Sequence, residues 1–298
     1  MDMFETARPR LLGLAYRMLG SMADAEDAVQ DTFLSWQKLD KASVANADAY
    51  LTTICTNRCL DGLKAAHRKR LDYVGPWIPE PLQLAGDTDP EADLNRAQSL
   101  TTAFLLLLER LSPKERAAYL LREVFGTPYE DVAETLNLSV PSCRQLVSRA
   151  AKHIKDPASR FVPPPDHQKR MLSAFLEALE SGSTEQLSGL LSETVRFQSD
   201  GGGKTTALGR VLEGRGDVAK YVALILRRLW GGAPVLPCSI NGLRGIVVLE
   251  NMRVVTALTL SYDGDGRIDG IFVVRNPEKL KALATPLHHD PNSGALWQ

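Results

Sequence analysis

The sequence predicts three compact units in a row: two all-α domains, the second built around a helix-turn-helix, then an α+β domain with helices on one side of a curved antiparallel sheet. Three observations predict this order. Apolar residues recur at three and four spacing through the first half, two proline-rich stretches interrupt it, and the second half turns to Val/Ile/Leu-rich runs between turn residues. A chain of 298 residues is also too long for one typical domain.

The units follow in order. Residues 1–71 carry helical periodicity without strand-like alternation. Residues 72–97 hold Pro76, Pro79, Pro81 and Pro90 among scattered acids, and they read as a linker. Helical periodicity resumes over residues 98–156, and the string FVPPP within residues 157–165 supplies a stiff spacer. Residues 166–285 predict helices over 168–180, 184–191 and 217–230, then strands over 246–249, 254–260 and 271–274. Asp263-Gly264 and Asp265-Gly266 supply a hairpin turn between the last two strands. Residues 286–298 form a tail.

Composition narrows the function classes. No apolar run is longer than that of Ala103 to Leu108, far short of the ~20 residues of a membrane span, and the start MDMFETARPR lacks a secretory pattern. A soluble cytoplasmic protein is expected. Cys55, Cys59, Cys143 and Cys238 form no C-x-x-C pair and no zinc spacing; Cys55 and Cys59, at i and i+4, read as small apolar residues on a buried stripe. The net charge of −1 hides two basic clusters: Arg58, Lys64, Arg68, Lys69 and Arg70 against Asp61, and Arg144, Arg149, Lys152 and Lys155 with no acid between them.

The most specific local pattern is TPYEDVAETLNLSVPSCRQLVSRAAKHI, residues 127–154. Thr127 is expected to cap a helix in a capping box with Glu130, with Pro128 at the first position. Val132, Ala133 and Leu136 face inward, Asn137 takes the left-handed turn conformation, and Leu138 plugs the turn. Ser139 caps the next helix, whose Cys143, Leu146 and Val147 face the core. Ser142, Arg144, Gln145, Ser148, Arg149 and Lys152 then point outward. These residue types read DNA: Arg bonds a guanine edge, Gln an adenine edge, and Ser or Lys the phosphates.

In SMADAEDAVQDTFLSWQK, Ser21 caps a helix with an inward stripe of Ala25, Ala28, Val29, Thr32 and Trp36. Asp27, Gln30, Asp31 and Leu34 line a neighbouring face that suits a basic protein partner. The segment ADAYLTTICTNRCLDGLKAAHRKR follows, a helix with Asn57 and Asp61 on one face and a basic end. The order of these helices, a variable linker and LSPKERAAYLLREVFGTPYEDVAETLNLSVPSCRQLVSRA closely resembles sigma factors of the extracytoplasmic-function (ECF) group. The resemblance implies that the first domain reads the minus-ten element and grips the β′ clamp helices of core RNA polymerase, and that the second reads the minus-thirty-five element and meets the β flap. By it, Asp27, Gln30 and Asp31 fall on the polymerase-binding face, Asn57 and Asp61 on the flipped minus-ten base, and Lys64, Arg68 and Arg70 beside the DNA backbone. Arg144, Gln145, Ser148 and Arg149 fall on the minus-thirty-five reading face.

Three further strings, WIPEP (Trp77, Pro79 and Glu80 among them), DGGGK (Asp200, Gly201, Gly202, Gly203, Lys204) and NPEKL (with Asn276, Pro277 and Lys279), resemble the ECF group with a SnoaL-like C-terminal extension, the sigma J-like group. That resemblance implies a SnoaL-like cone acting as a built-in regulator, with no separate anti-sigma factor required. It implies no catalytic residue, cofactor or metal, and leaves room for a small-molecule ligand in the SnoaL-like pocket. GGGKTT is no phosphate-binding loop, since Gln198 stands where a glycine is needed and no helix follows; it reads as a Gly-rich hairpin. The SnoaL-like domain is expected to dock on the linker, burying Trp77 and pairing Lys204 with Glu80 or the linker acids. Two other classes fit the same sequence: a one-component DNA-binding regulator with a ligand-sensing C-terminal domain, and a C-terminal isomerase or cyclase using Asp200, Asp217, Tyr221 or Tyr262.

Overall fold

A computed structural model describes residues 3–40, 44–83, 99–154 and 161–284. Pro90 and the acids after it, Lys155, the tail and the side chains of Arg68, Lys69 and Arg70 lie outside the described residues.

The first unit packs α1 (Met3–Leu19), α2 (Met22–Gln37) and α3 (Ala47–Leu71) against one another. Ser21 caps α2 by accepting the Asp24 N–H, and Gly20 at φ +71° makes the tight turn before it. The buried residues of α2 are Ala25, Ala28, Val29, Thr32 and Trp36, the predicted stripe. The second unit comprises α4 (Thr102–Leu108), α5 (Pro113–Tyr119) continued by a π turn (Leu120–Val124), α6 (Tyr129–Leu136) and α7 (Val140–His153). A capping box between Ser112 and Glu115, with Pro113 in the first turn, starts α5. The two helical units share one continuous apolar core.

The third unit opens with α8 (Pro165–Ser181) and α9 (Thr184–Leu190), then β1 (Leu191–Asp200) and β2 (Leu212–Glu213). Next come α10 (Arg215–Tyr221), a π turn (Val222–Leu226) and α11 (Arg227–Trp230), which run on without a gap, so the helix expected over 217–230 is present with a π turn inside it. Strands β3 (Val235–Ile240), β4 (Leu243–Glu250), β5 (Arg253–Tyr262) and β6 (Ile268–Val274) complete one sheet of order β2-β1-β6-β5-β4-β3. The sheet is mixed: β1 runs parallel to β6, and every other neighbouring pair is antiparallel. The expected Asp-Gly turn joins β5 to β6 through Gly266 N–H to Asp263 O at 3.0 Å.

Both sheet faces are buried, which is why β5 and β6 read as near-continuous apolar runs and not as alternation. On one face Phe197, Leu258 and Leu260 meet Phe175, Val222 and Trp230 of the helices. On the other, Val247, Ala257, Phe272 and Val274 meet Ile78 of the linker, Leu280 and Leu283, with Ala103 and Leu106 of α4 at the margin. The third unit therefore packs the outer face of its sheet on the linker and the second helical unit.

Candidate functional site

The helix-turn-helix is formed as predicted except at its start. The N-cap of α6 is Pro128, with no side-chain cap, so the expected Thr127–Glu130 capping box is absent: the proline makes the extended turn itself, at ψ 149°. Asn137 takes the left-handed conformation (φ 50°, ψ 57°), and Ser139 caps α7 through the Ser142 N–H. Cys143, Val147 and Ala150 are buried, while Arg144, Gln145, Ser148, Arg149 and Lys152 are exposed. Ser142 differs from its neighbours: it is half-buried, and its hydroxyl is shared with that of Ser139 at 2.8 Å, so it serves the cap.

On α3, Asn57, Asp61 and Lys64 are exposed above the buried Cys55, Cys59 and Leu63. Asp61 and Lys64 pair on the surface at 2.9 Å. Arg68 and Arg70 continue the same helix. On α2, Asp27, Gln30, Asp31 and Leu34 form an exposed face adjacent to the buried stripe.

The docking of the linker centres on Asp200, which ends β1 and is fully buried. Oδ1 accepts the Tyr73 hydroxyl at 2.5 Å and the Gly202 N–H at 3.0 Å; Oδ2 accepts the Ile78 N–H at 2.9 Å and the Lys279 ammonium at 2.7 Å. Four donors satisfy one carboxylate, the condition under which a buried charge is tolerated. Lys279 also donates to Ile78 O at 2.6 Å and lies over the rings of Trp77 (4.3 Å) and Tyr73 (5.1 Å). Asn276 donates to the Tyr73 hydroxyl at 3.0 Å, and burial beside Asp200 pushes that phenol up. Gly202 and Gly203 have positive φ, and a Cβ on Gly202 would collide with Asn276, so this turn of the Gly-rich connection between β1 and β2 needs its glycines. Pro277 is exposed.

Two expectations about this contact are corrected. Lys204 pairs with Glu278, its neighbour across the turn; Glu80 accepts the Met22 N–H at 2.8 Å instead, closing the N-terminus of α2. The buried anchor is Ile78 at 0% exposure, beside the buried Pro79, whereas Trp77 is half-buried against Gly20 and Lys279. The linker backbone carries this choice: the Ile78 N–H and C=O are spent on Asp200 and Lys279, which turns the Ile78 side chain into the sheet cluster.

A second junction was not anticipated. Asn241, at φ 51° in the Asn-Gly turn between β3 and β4, accepts the Leu82 N–H at 2.7 Å and donates to Thr102 of α4 at 3.2 Å. Tyr16 of α1 donates to Glu80 O at 2.6 Å and lies 3.5 Å from the Asn241 amide oxygen. One hairpin tip thus reaches the linker and both helical units. The helical units also meet directly. The buried Arg116 donates to Met18 O at 2.7 Å and to Glu109 at 2.8 Å, and Thr53 of α3 shares a hydrogen bond of 2.9 Å with Thr135 of α6. The Asn-Gly dipeptide between two apolar runs was the available hairpin signal for Asn241; Tyr16, Tyr73 and Arg116 carry none that separates them from core residues.

Asp200 and Tyr262 do not meet as an acid–base pair, whereas Asp217 and Tyr221 lie one turn apart on α10. Asp200 aligns with Val274 at one end of the sheet, while Tyr262 aligns with Ile268 at the other, about 20 Å away at strand rise. Among the described residues no cluster of His, Cys, Asp or Glu suits a metal, and no helix is long and apolar enough to cross a membrane.

An acidic-faced helix is thus followed by one with a basic end and joined to a helix-turn-helix with a basic outer face. The chain matches the Sigma-70 region 2 family over residues 3–69 and the Sigma-70 region 4 family over residues 101–154. It is 32% identical over 289 residues to the "ECF RNA polymerase sigma factor SigJ" of Mycobacterium tuberculosis H37Rv, covering 93% of this chain and 91% of that protein. It is also 28% identical over 284 residues to the "probable ECF RNA polymerase sigma factor SigI" of the same species, covering 94% of each. The crystal structure of M. tuberculosis SigJ superposes with a TM-score of 0.74 at 32% identity, covering 95% of this chain and 98% of that one. The chain belongs to the ECF sigma factors, and its C-terminal domain shares the arrangement of the SigJ structure. Sigma factors bind core RNA polymerase and promoter DNA, and the family is not enzymatic in general.

Proposed function

We propose that the chain is an alternative sigma factor whose C-terminal SnoaL-like domain modulates it in cis, by holding the two promoter-reading domains at a distance that no promoter matches. The contact between Thr53 and Thr135 carries this reading. Thr53 lies one turn before Asn57 on α3, and Thr135 lies on the first helix of the helix-turn-helix, so the minus-ten and minus-thirty-five readers touch. The elements they serve are separated by about 25 base pairs, about 85 Å of duplex at 3.4 Å per base pair. In this state the chain cannot engage both.

Asn57 and Asp61 take the flipped minus-ten base, with Lys64, Arg68 and Arg70 along the backbone. Arg144, Gln145, Ser148 and Arg149 read the minus-thirty-five element, and Lys152 holds phosphate. Asp27, Gln30 and Asp31 meet the β′ clamp helices, and this face stays exposed while the linker is docked. Polymerase capture is therefore compatible with the closed state, and opening is needed for promoter engagement. Asp200, Lys279 and Asn276 act as the receptor for the linker, with Gly201, Gly202 and Gly203 shaping the turn and Lys204 and Pro277 at its rim. A latch within one chain needs no separate anti-sigma factor, and a polymerase subunit works in the cytoplasm, where the polymerase is. Asp200 is a structural receptor and not a catalytic acid or base, since it is committed to four donors and sits far from Tyr262.

Thr53→Cys with Thr135→Cys tests the reading. The oxidised, locked protein is expected to bind core polymerase but to yield no run-off transcript, with transcription restored by reduction. Equal transcription from the locked and reduced forms refutes it.

A further inference from the structure

Tyr129, the first residue of α6, carries two guanidinium groups. Arg122 lies 4.6 Å from its ring centroid and Arg144 lies 5.3 Å from it. The ring thereby links three elements: the π turn that bears Arg122, the start of α6, and the exposed face of α7. Arg122 is further tied by its Nη1 to Thr127 O at 3.2 Å, and Tyr129 itself is half-buried. Among the described residues, Gln145, Ser148 and Lys152 of the same α7 face have no comparable partner, and Arg149 pairs with Glu115 at 3.8 Å, so Arg144 is the arginine of this face held against a ring.

We propose that Tyr129, backed by Arg122, is a positioning residue that sets the direction from which Arg144 reads the minus-thirty-five element. This rests on the assignment of α7 as the reading helix. An arginine gains base discrimination only when its planar fork meets a guanine edge with both donors aligned, and a long side chain loses much rotamer freedom in doing so. A ring that restricts the guanidinium beforehand removes part of that loss, with the effect of a surface cation–π contact, about two- to fivefold in equilibrium terms. The π turn sets the place of Arg122: its bond from Phe125 N–H to Leu120 O at 3.0 Å adds one residue to a helical turn just before the loop that leads to Tyr129. The ring acts through Arg144, and so it governs which base is preferred and not how firmly the backbone is held.

The test uses holoenzyme assembled from the full chain and core polymerase, on a promoter recovered by run-off transcription, with each minus-thirty-five base pair substituted in turn. Tyr129→Leu is expected to lower the preference two- to fivefold at the same base pair where Arg144→Ala abolishes it, with an unchanged salt slope. Tyr129→Phe keeps the ring and retains the preference. The double variant Tyr129→Leu/Arg144→Ala is expected to match Arg144→Ala alone. Uniform weakening across all substituted promoters with a shallower salt slope, or additive losses in the double variant, overturns the proposal and makes the ring a backbone contact. If Arg144→Ala shifts a base preference and Tyr129→Leu does not, positioning alone fails; if Arg144→Ala shifts none, the assignment of α7 fails and the proposal with it. Arg122→Met gives a second reading that leaves the ring in place: a smaller loss at the same base pair is expected, and a loss spread over all of them counts against the proposal.

Discussion

Replacing Asp200 by alanine removes the acceptor of four donors at once and leaves Lys279, with a side chain only 13% exposed, without its buried carboxylate. Removing one partner of a buried ion pair costs about 3–5 kcal/mol, because the remaining charge stays desolvated. Undocking returns Lys279 to water, so most of this cost falls on the docked state. At about 1.4 kcal/mol per factor of ten, the docking equilibrium shifts by roughly 140- to 3700-fold. The contrast is Lys204→Ala: its pair with Glu278 is formed by side chains 47% and 59% exposed, where water screens the attraction and little is lost on removal. Fluorophores at cysteines introduced at the exposed Gln37 and Glu134 report the separation of the two sigma domains. Energy transfer should fall in Asp200→Ala and stay near the wild-type value in Lys204→Ala. Unchanged transfer in a soluble, folded Asp200→Ala protein would refute the claim that linker docking at Asp200 holds the two sigma domains together, and would leave that task to their shared core.

Ile78→Ala should loosen docking by about 2–4 kcal/mol, more than Trp77→Ala, since Ile78 is fully buried and Trp77 half-exposed; the same transfer assay ranks them. Burial raises the Glu80 carboxyl, against the lowering by the Met22 N–H and Lys279. The docked state therefore binds the proton more tightly than the released one, and docking weakens as pH rises through the raised value and tightens as pH falls toward the ordinary carboxylate range. Glu80→Gln should flatten that slope, and a slope identical to wild type would exclude Glu80 as its source. Asn57→Ala should impair strand opening more than initial promoter binding, because its partner base is reachable only once unstacked; permanganate footprinting reports the difference.

The order of units, the helix-turn-helix and the α2 stripe were legible because each is local: a cap, a left-handed Asn or a period of 3.6 acts within a few residues. The choice of Ile78 over Trp77 as anchor was not legible. The larger ring suggested the larger burial, but the buried Asp200 claims the Ile78 backbone N–H, and that fixes which side chain points into the sheet. Lys204 found Glu278 because the turn brings segments 201–204 and 276–279 together on one side of the sheet, while Glu80 faces α2 on the other side of the linker. Strands β1, β2 and β3 were missed, β2 being only two residues long. The polar LSETVRFQSD of β1 lacks an apolar run, and β3 is a half-exposed edge strand with Pro237. The parallel β1–β6 pair joins segments far apart in sequence, a relation no local pattern encodes. Asn241 and Arg116 belong to the same class: buried polar residues whose partners come from other domains.

The most direct test of the central claim is run-off transcription on genomic fragments with core RNA polymerase, comparing the wild-type chain with Asp200→Ala. The account predicts promoter-specific transcripts from both, with a higher yield from the undocked variant. Core binding without promoter-specific transcripts from either protein, or a yield that falls on undocking while the fold is intact, would contradict it.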